Sequence, residues 1–363
     1  MPLILPVFAA GTVLYAGFLF VSLLGMLFSG SKRHQGIQPI SVIIAARNEE
    51  QNLPLLLDSL SRLIYPEYEV IIVNDHSTDS SRAILDEWDG KHKIRILHLD
   101  SEIKGLTGKK AAVDFGIRHS KHDLLAFTDA DCELNPDWLH EINSAMGEAC
   151  DYMLGFSLLR RKRGGSLFRL RNFERSIYYA LAAAGLFWRK PITSMACNMA
   201  YRKSVFLKTG GFGDLGMLRS GDDDLLLMKL MPRIRKAVFN PSKSMRVISC
   251  DGVDAAVHHQ TNIRRASKFC FYPLYLKLLA AFVFVYYAFF YFALFSAVFS
   301  SSGASILSYI ALKTFAELIL VSSLFFRVGY PILILFYPLQ ILLFPAQFIF
   351  YALRGSLGKY SWK

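Results

Sequence analysis

Apolar residues are concentrated toward both ends of this chain, and most of its charge lies in the middle. Residues 3–28 hold no charged side chain, and as a helix rising 1.5 Å per residue they would run about 39 Å, enough to cross a hydrocarbon core with some tilt. No basic stretch precedes this run and no clear small-x-small site follows it, so a retained anchor is expected rather than a cleaved leader. Toward the other end, residues 278–299 are aromatic and uncharged. Residues 306–326 are apolar except for Lys313 and Glu317, which lie four apart on one helical face and are expected to neutralise each other inside a bundle. Residues 328–351 are long enough for a further span, but Pro331, Pro338 and Pro345 each lack a backbone donor. A kinked or partly interfacial course therefore stays open there.

Between about Gln38 and Cys270 the periodicity changes, and short β-branched runs alternate with amphipathic helical stretches. Strands are expected at 40–45, 69–73, 94–97 and 123–127, and helices at 52–63, 80–88 and 109–118. That order predicts an α/β fold with a mainly parallel twisted sheet and flanking helices, plus transmembrane helices at both ends. The expected domains are an anchor at 1–30, the α/β domain at 31–270 and a membrane region of two or three spans at 271–363. Residues 166–188 are strongly apolar with Arg169, Arg171 and Arg175 on one side. They read either as a helix lying at a membrane surface or as one packed on the sheet.

Composition narrows the partners. The chain of 363 residues is 53% hydrophobic with a formal net charge of +12, and a mildly basic middle suits lipid headgroups and anionic substrates. It has no lysine–arginine stripe of the kind nucleic-acid binders carry, so no nucleic-acid partner is expected. Ser31-Lys32-Arg33-His34 after the first apolar run places its exit on the cytoplasmic side. Four spans would then put Arg354, Lys359 and Lys363 outside, so the two ends give opposite signals. Five scattered cysteines argue against a disulfide framework and fit a reducing compartment. The expected location is the cell membrane, multi-pass, with the middle domain on the cytoplasmic side; the pattern gives no oligomeric state.

Chemistry collects where the expected strands end. The apolar run 124–127 stops at Thr128-Asp129-Ala130-Asp131, the carboxyl end at which parallel sheets gather ligands. In extended chain, residues i and i+2 point the same way, so Asp129 and Asp131 repel unless a cation lies between them. Mg²⁺ takes one or two protein carboxylates and keeps room for phosphate oxygens; the alternative is an acidic turn leading to a helix near Asn135-Pro136-Asp137. Asp75 closes another strand, where it would accept a hydrogen bond from a nucleotide or merely join the caps at Ser77, Thr78 and Asp79. Gly105-Leu106-Thr107-Gly108-Lys109-Lys110 fails the Walker pattern, because Ile103 stands where a glycine is required and no Ser or Thr follows Lys109. Lys109 at a helix start would still suit a diphosphate, or else be an ordinary solvated lysine. Asp222, Asp223 and Asp224 before an apolar helix complement its N-terminus, for a few tenths to about one kcal/mol. Capping does not need three acids, and one of them could take a proton from a hydroxyl.

These segments, taken in order, resemble the family 2 glycosyltransferases of the GT-A fold. The likeness runs from Ser41 to about Ala266 and rests on Ala46-Arg47-Asn48-Glu49, on Val73 to Asp79, on Gly108-Lys109 with Gly116-Ile117 and on Thr128 to Asp131. It continues in Cys197 to Arg202 with Gly210-Gly211-Phe212 and ends at Asp222-Asp223-Asp224-Leu225. It implies a nucleotide-sugar donor, with Ala46, Asn48, Glu49 and Asp75 holding it, Lys109 near the nucleotide, and Asp129 and Asp131 engaging ribose and a divalent cation, Mg²⁺ or Mn²⁺. Asp222 is implied as the catalytic base. Asp223 and Asp224 stay open as an alternative base or as support, because Gly221 replaces the usual Glu. The family's Gln-x-x-Arg-Trp is altered here to Gln260-Thr261-Asn262-Ile263-Arg264 without a Trp, so Arg264 is expected either at the diphosphate or at lipid headgroups. With no second nucleophile in sight, the expected reaction is inverting transfer, typically from a UDP-sugar, to a lipid or lipid-linked acceptor. Its rivals are a processive polysaccharide synthase and a non-catalytic nucleotide-sugar-binding membrane protein.

Overall fold

A computed structural model describes residues 4–30, 33–160, 167–218, 220–250, 255–299 and 303–357. In chain order the elements are α1 (Ile4–Phe28), β1 (Ile40–Ala46), α2 (Leu53–Ser61), β2 (Tyr68–Asp75), α3 (Ser81–Asp86), β3 (Ile94–Leu99), α4 (Lys109–His119) and β4 (Leu124–Phe127). Then follow β5 (Cys132–Glu133), α5 (Trp138–Ala145), β6 (Tyr152–Gly155), β7 (Ser157–Leu159), α6 (Leu167–Phe187), β8 (Met199–Arg202), α7 (Lys203–Lys208) and α8 (Asp224–Leu230). The last are β9 (Ala237–Asn240), β10 (Val247–Ser249), α9 (Ala255–Ser267), α10 (Leu274–Phe299), α11 (Gly303–Arg327) and α12 (Tyr337–Ser356). They form two compact units, an α/β unit of residues 28–161 with 185–251 and a helical unit of residues 1–27, 162–184 and 252–363.

The α/β unit is built on a seven-stranded sheet in the order β3-β2-β1-β4-β8-β6-β9. β3, β2, β1 and β4 run parallel, as their short apolar runs predict. β8 enters antiparallel between β4 and β6, so the sheet is mixed, and β6 pairs in parallel with β9. A second sheet of β5, β10 and β7 lies apart from it in the strand pairing. β1 and β2 are almost wholly buried, which is why they read as continuous rather than alternating hydrophobic runs. α4 packs onto them at Gly116, where a Cβ would lie 2.8 Å from Ile43 Cγ2 and 3.2 Å from Val73 Cγ2. That glycine sets how closely the helix approaches the sheet. Asn198, 0% exposed, ties distant segments together. Its Oδ1 accepts from Trp138 Nε1 at 3.0 Å, and its Nδ2 donates to the carbonyls of Phe156 and Met245 at 2.8 Å each.

Among the described residues, the helical unit contains four helices long and apolar enough to cross a membrane, α1, α10, α11 and the stretch Pro331–Ser356. Pro331 opens a 3₁₀ turn and Pro338 lies in the first turn of α12, positions where no intrahelical donor is missed. Of these three prolines, Pro345 is the one inside a helix. Lys313 is fully buried and its Nζ is 2.8 Å from Glu317 Oε2, so the pair does satisfy itself. Glu317 also accepts from Tyr15 at 2.8 Å and Tyr337 at 3.0 Å, and Tyr15 meets Tyr287 at 2.8 Å. Low polarity around such a network makes each of these bonds costly to break. α6 buries Phe173 with Val321, Phe325, Leu333 and Tyr337, so its apolar stripe serves the helical unit. Ser31, Lys32, Ser166, Lys359 and Lys363, which entered the sequence expectations, fall outside the described residues.

Candidate active site

The carboxyl ends of β1 and β2 are laced into one another. After Ala46, which is 1% exposed, the chain turns at Asn48 with φ of 54°, a left-handed conformation that Asn tolerates. The Asn48 amide donates to Ser77 Oγ at 3.0 Å and its side-chain oxygen accepts from the Thr78 amide at 2.8 Å. The Glu49 amide donates to Ser81 Oγ at 2.8 Å, and the Glu49 carboxylate accepts from Asn52 Nδ2 at 2.6 Å. Asp75 ends β2 with its side chain 6% exposed, Oδ1 at 2.8 Å from His76 Nδ1 and Oδ2 at 4.0 Å from Arg47 Nη1. A buried carboxylate needs such partners. Ser77 and Thr78 therefore tie the two loops together through Asn48 and do not cap α3, whose N-cap is Ser80; Asp79 precedes the helix and accepts from the Glu50 and Ser81 amides at 3.2 and 3.0 Å, and Asp75 is buried at the end of β2.

The end of β4 carries the second cluster. Asp129, Asp131 and Cys132 bring their ligand atoms within 4.8 Å of one another. Both Asp131 oxygens are held, Oδ1 by the Cys132 thiol at 3.4 Å and Oδ2 by Ser249 Oγ at 3.3 Å. The Asp131 carbonyl accepts from the Cys250 amide at 3.0 Å, so the β5–β10 pairing fixes this residue from below. Burial, with the neighbouring Cys197 thiol and the Asp131 charge, pushes the Cys132 thiol well above its ordinary pKa, so it acts as a donor to Asp131. Two half-buried carboxylates in so small a volume suit a hard divalent cation with sites left for water or phosphate.

The third cluster opens α8. Gly221 has φ of +94°, and a Cβ there would lie 2.5 Å from Leu225 Cδ1, so the glycine that departs from the family pattern is required by the local backbone. Asp223 accepts from the Asp224 amide at 2.7 Å, and Asp224, 2% exposed, accepts from the Leu225 amide at 2.8 Å. These two acids start the helix. Asp222 instead reaches Lys109, with Oδ2 at 3.2 Å from Nζ, and the same ammonium is paired with Asp129. Burial opposes the charge on Lys109, but the Asp129 and Asp222 carboxylates outweigh it and hold its pKa well above the usual lysine value.

Lys109, Asp129, Asp131 and Asp222 thus share one site at the sheet's carboxyl edge, with Ala46, Asn48, Glu49 and Asp75 on the neighbouring strand ends. Arg264 lies on α9 in the helical unit. Sequence reasoning missed Lys110, which is 2% exposed and donates to the carbonyls of Leu218 and Ser220, steadying the approach to Asp222. It also missed Cys132 and Ser249 as supports of Asp131; no local signal marks Ser249, because strand pairing alone brings it there.

Residues 41–210 match the family model described as Glycosyl transferase family 2. Probable glycosyltransferase YdaM of Bacillus subtilis is 27% identical over 204 residues, 54% of this chain and 48% of that protein. Beta-monoglucosyldiacylglycerol synthase of Nostoc sp. is 32% identical over 124 residues, 32% of this chain and 26% of that protein. The chain therefore spans about half or less of the length of these curated relatives. In fold it is similar to a mannosyltransferase of Pyrobaculum calidifontis solved in complex with GDP-Man and Mn²⁺, with a TM-score of 0.56 at 16% identity, covering 97% of this chain and 99% of that one.

Proposed function

We propose, from the match of residues 41–210 to the Glycosyl transferase family 2 model, that this chain is a family 2 glycosyltransferase that moves one sugar, with inversion, from a nucleotide-sugar to a lipid or lipid-linked acceptor at a membrane. The convergence of Asp129, Asp131 and Asp222 around Lys109 supports this reading. Ala46, Asn48, Glu49 and Asp75 take the nucleoside, typically of a UDP-sugar, in the braced loops after β1 and β2. Asp129 and Asp131 would hold Mg²⁺ or Mn²⁺. When bound, that cation supplies Lewis-acid stabilisation to the charge that grows on the departing diphosphate. Asp222 accepts the proton of the acceptor hydroxyl as its oxygen attacks the anomeric carbon, the bond to the diphosphate breaking in the same displacement. Asp223 and Asp224 support that base by starting α8, and Arg264 is assigned to diphosphate or lipid headgroups. The four apolar helices and the glycolipid-synthase relative favour a membrane lipid as acceptor. The domains are taken as an anchor at 1–30, a cytoplasmic transferase at 31–270 and a membrane region at 271–363.

The test is to incubate membranes holding the full chain with a panel of tritiated sugar nucleotides and to separate lipid from polymer products. One-sugar glycolipid supports the proposal, and long polymer supports the synthase reading. Asp222→Asn should lower turnover by about 10²–10⁴-fold with donor binding kept, whereas Asp131→Asn should weaken metal-dependent donor binding. Full transfer by Asp222→Asn would overturn the assignment of the base.

A further inference from the structure

Lys109 is the first residue of α4, behind Gly108 with φ of +55°, and its ammonium lies between two acids from distant parts of the chain. It is paired with Asp129 at the end of β4 and sits 3.2 Å from Asp222 before α8. Its side chain is 27% exposed against 32% for Asp129 and 15% for Asp222, so all three remain partly open to solvent. One monovalent cation thus bridges a carboxylate suited to a metal and a carboxylate suited to a proton.

That arrangement conflicts with a loaded site. A divalent cation competes with the ammonium for Asp129, while a diphosphate at the start of α4 attracts the ammonium, aided by the helix dipole and open backbone N–H groups. An Asp222 oxygen that is accepting from Lys109 is also less available to an acceptor hydroxyl. The three demands are met together if the lysine changes partner. Its stem has four rotatable methylenes and carries a point charge rather than a planar fork, so such a swing breaks no fixed geometry.

We propose, resting on the transferase reading above, that Lys109 is a mobile counter-cation: it pairs Asp129 with Asp222 in the donor-free protein and transfers to the donor's diphosphate when donor and metal bind. Donor binding then precedes use of the base. The acceptor hydroxyl meets Asp222 only after the ammonium has left, and Lys109 becomes a catalytic residue that contacts the leaving group. Asp129 passes from the ammonium to the divalent cation in the same exchange.

The test uses the full chain in detergent with Mn²⁺ and with UDP or GDP as probes. Lys109→Met removes the competitor for Asp129, so Mn²⁺ alone, titrated by electron paramagnetic resonance, should bind roughly tenfold or more tightly than to wild type. Nucleoside diphosphate in saturating Mn²⁺ should bind more weakly, and Lys109→Arg should restore both values toward wild type. A merely structural ion pair predicts that both affinities fall together. In the wild-type protein, acetylation of Lys109 read by mass spectrometry should rise with Mn²⁺ alone and fall when UDP or GDP is added. Unchanged labelling, or Mn²⁺ affinity in Lys109→Met equal to or weaker than wild type, overturns the exchange. If wild-type membranes also transfer no sugar, the transferase reading fails as well, so the two failures are told apart.

Discussion

Replacing Gly116 by alanine sets two effects of opposite sign against each other. In the middle of α4, alanine is favoured over glycine by about 0.8–1.0 kcal/mol of helix propensity. Against this, the new Cβ would lie 2.8 Å from Ile43 Cγ2 and 3.2 Å from Val73 Cγ2, where carbon atoms in contact prefer about 3.5–4.0 Å. Neither neighbour can yield easily. Ile43 is 1% and Val73 0% exposed, both are stiff at χ1, and both lie on central parallel strands. Overpacking of this kind costs about 1–3 kcal/mol, and with two immobile methyls the upper half of that range applies. The net effect is a loss of about 1–2 kcal/mol. For domains of 150–250 residues, about 2–4 °C in Tm is lost per kcal/mol, which a thermal melt in mild detergent resolves. Gly116→Val should lose more, and because α4 begins at Lys109, both variants should also lose transferase activity. An alanine variant that melts at or above wild type would refute the claim that this contact is tight.

Two further changes test the scaffold. Asn198→Ala leaves the Trp138 indole and the Met245 carbonyl without their partner, while the Phe156 carbonyl keeps the Val247 amide at 3.2 Å; at about 1–3 kcal/mol for each unmet group the urea midpoint should fall by the equivalent of about 2 kcal/mol or more, and a shift below one would contradict the satisfied-network account. Asp151, 1% exposed, is penalised by burial, but hydrogen bonds and charge from Arg235 outweigh this and hold its carboxyl below the usual aspartate value. Its contribution is therefore fully present above the unfolded value of about 3.9 and is lost as pH falls through the lower native one. Asp151→Asn should lower Tm at neutral pH and flatten the acid side of the Tm-versus-pH curve, and an unchanged acid limb would show that the pair carries none of the pH dependence.

Local pattern made much of this protein legible. Continuous apolar runs such as Val70-Ile71-Ile72-Val73 announce buried parallel strands because both faces are covered, and the observed β2 extends that run to Asp75. Helix α4 begins at Lys109, the residue the Gly108-Lys109 start signal picks out. The second half of the sheet was less readable. β6, β8 and β9 are four residues each, and the antiparallel entry of β8 depends on pairing with β4 rather than on its own residues. Two of the three prolines near the last apolar helix were harmless because they occupy its start, which spacing alone could not tell from a kink.

The division of labour follows from the range of the forces involved. Hydrophobic periodicity, turn residues and the placement of carboxylates at strand ends act over a few neighbours, so the sequence alone determined an α/β domain flanked by apolar helices and put Asp75, Asp129 and Asp131 at the carboxyl ends of its strands. Which acid of Asp222, Asp223 and Asp224 faces those ends was decided only when folding placed Lys109 beside one of them and turned the other two into the start of α8. Strand order, the positive φ of Gly221 and the Ser249 support under Asp131 all come from contacts between residues distant in the chain. Such contacts are selected by packing of the whole unit, and no short window of sequence carries them.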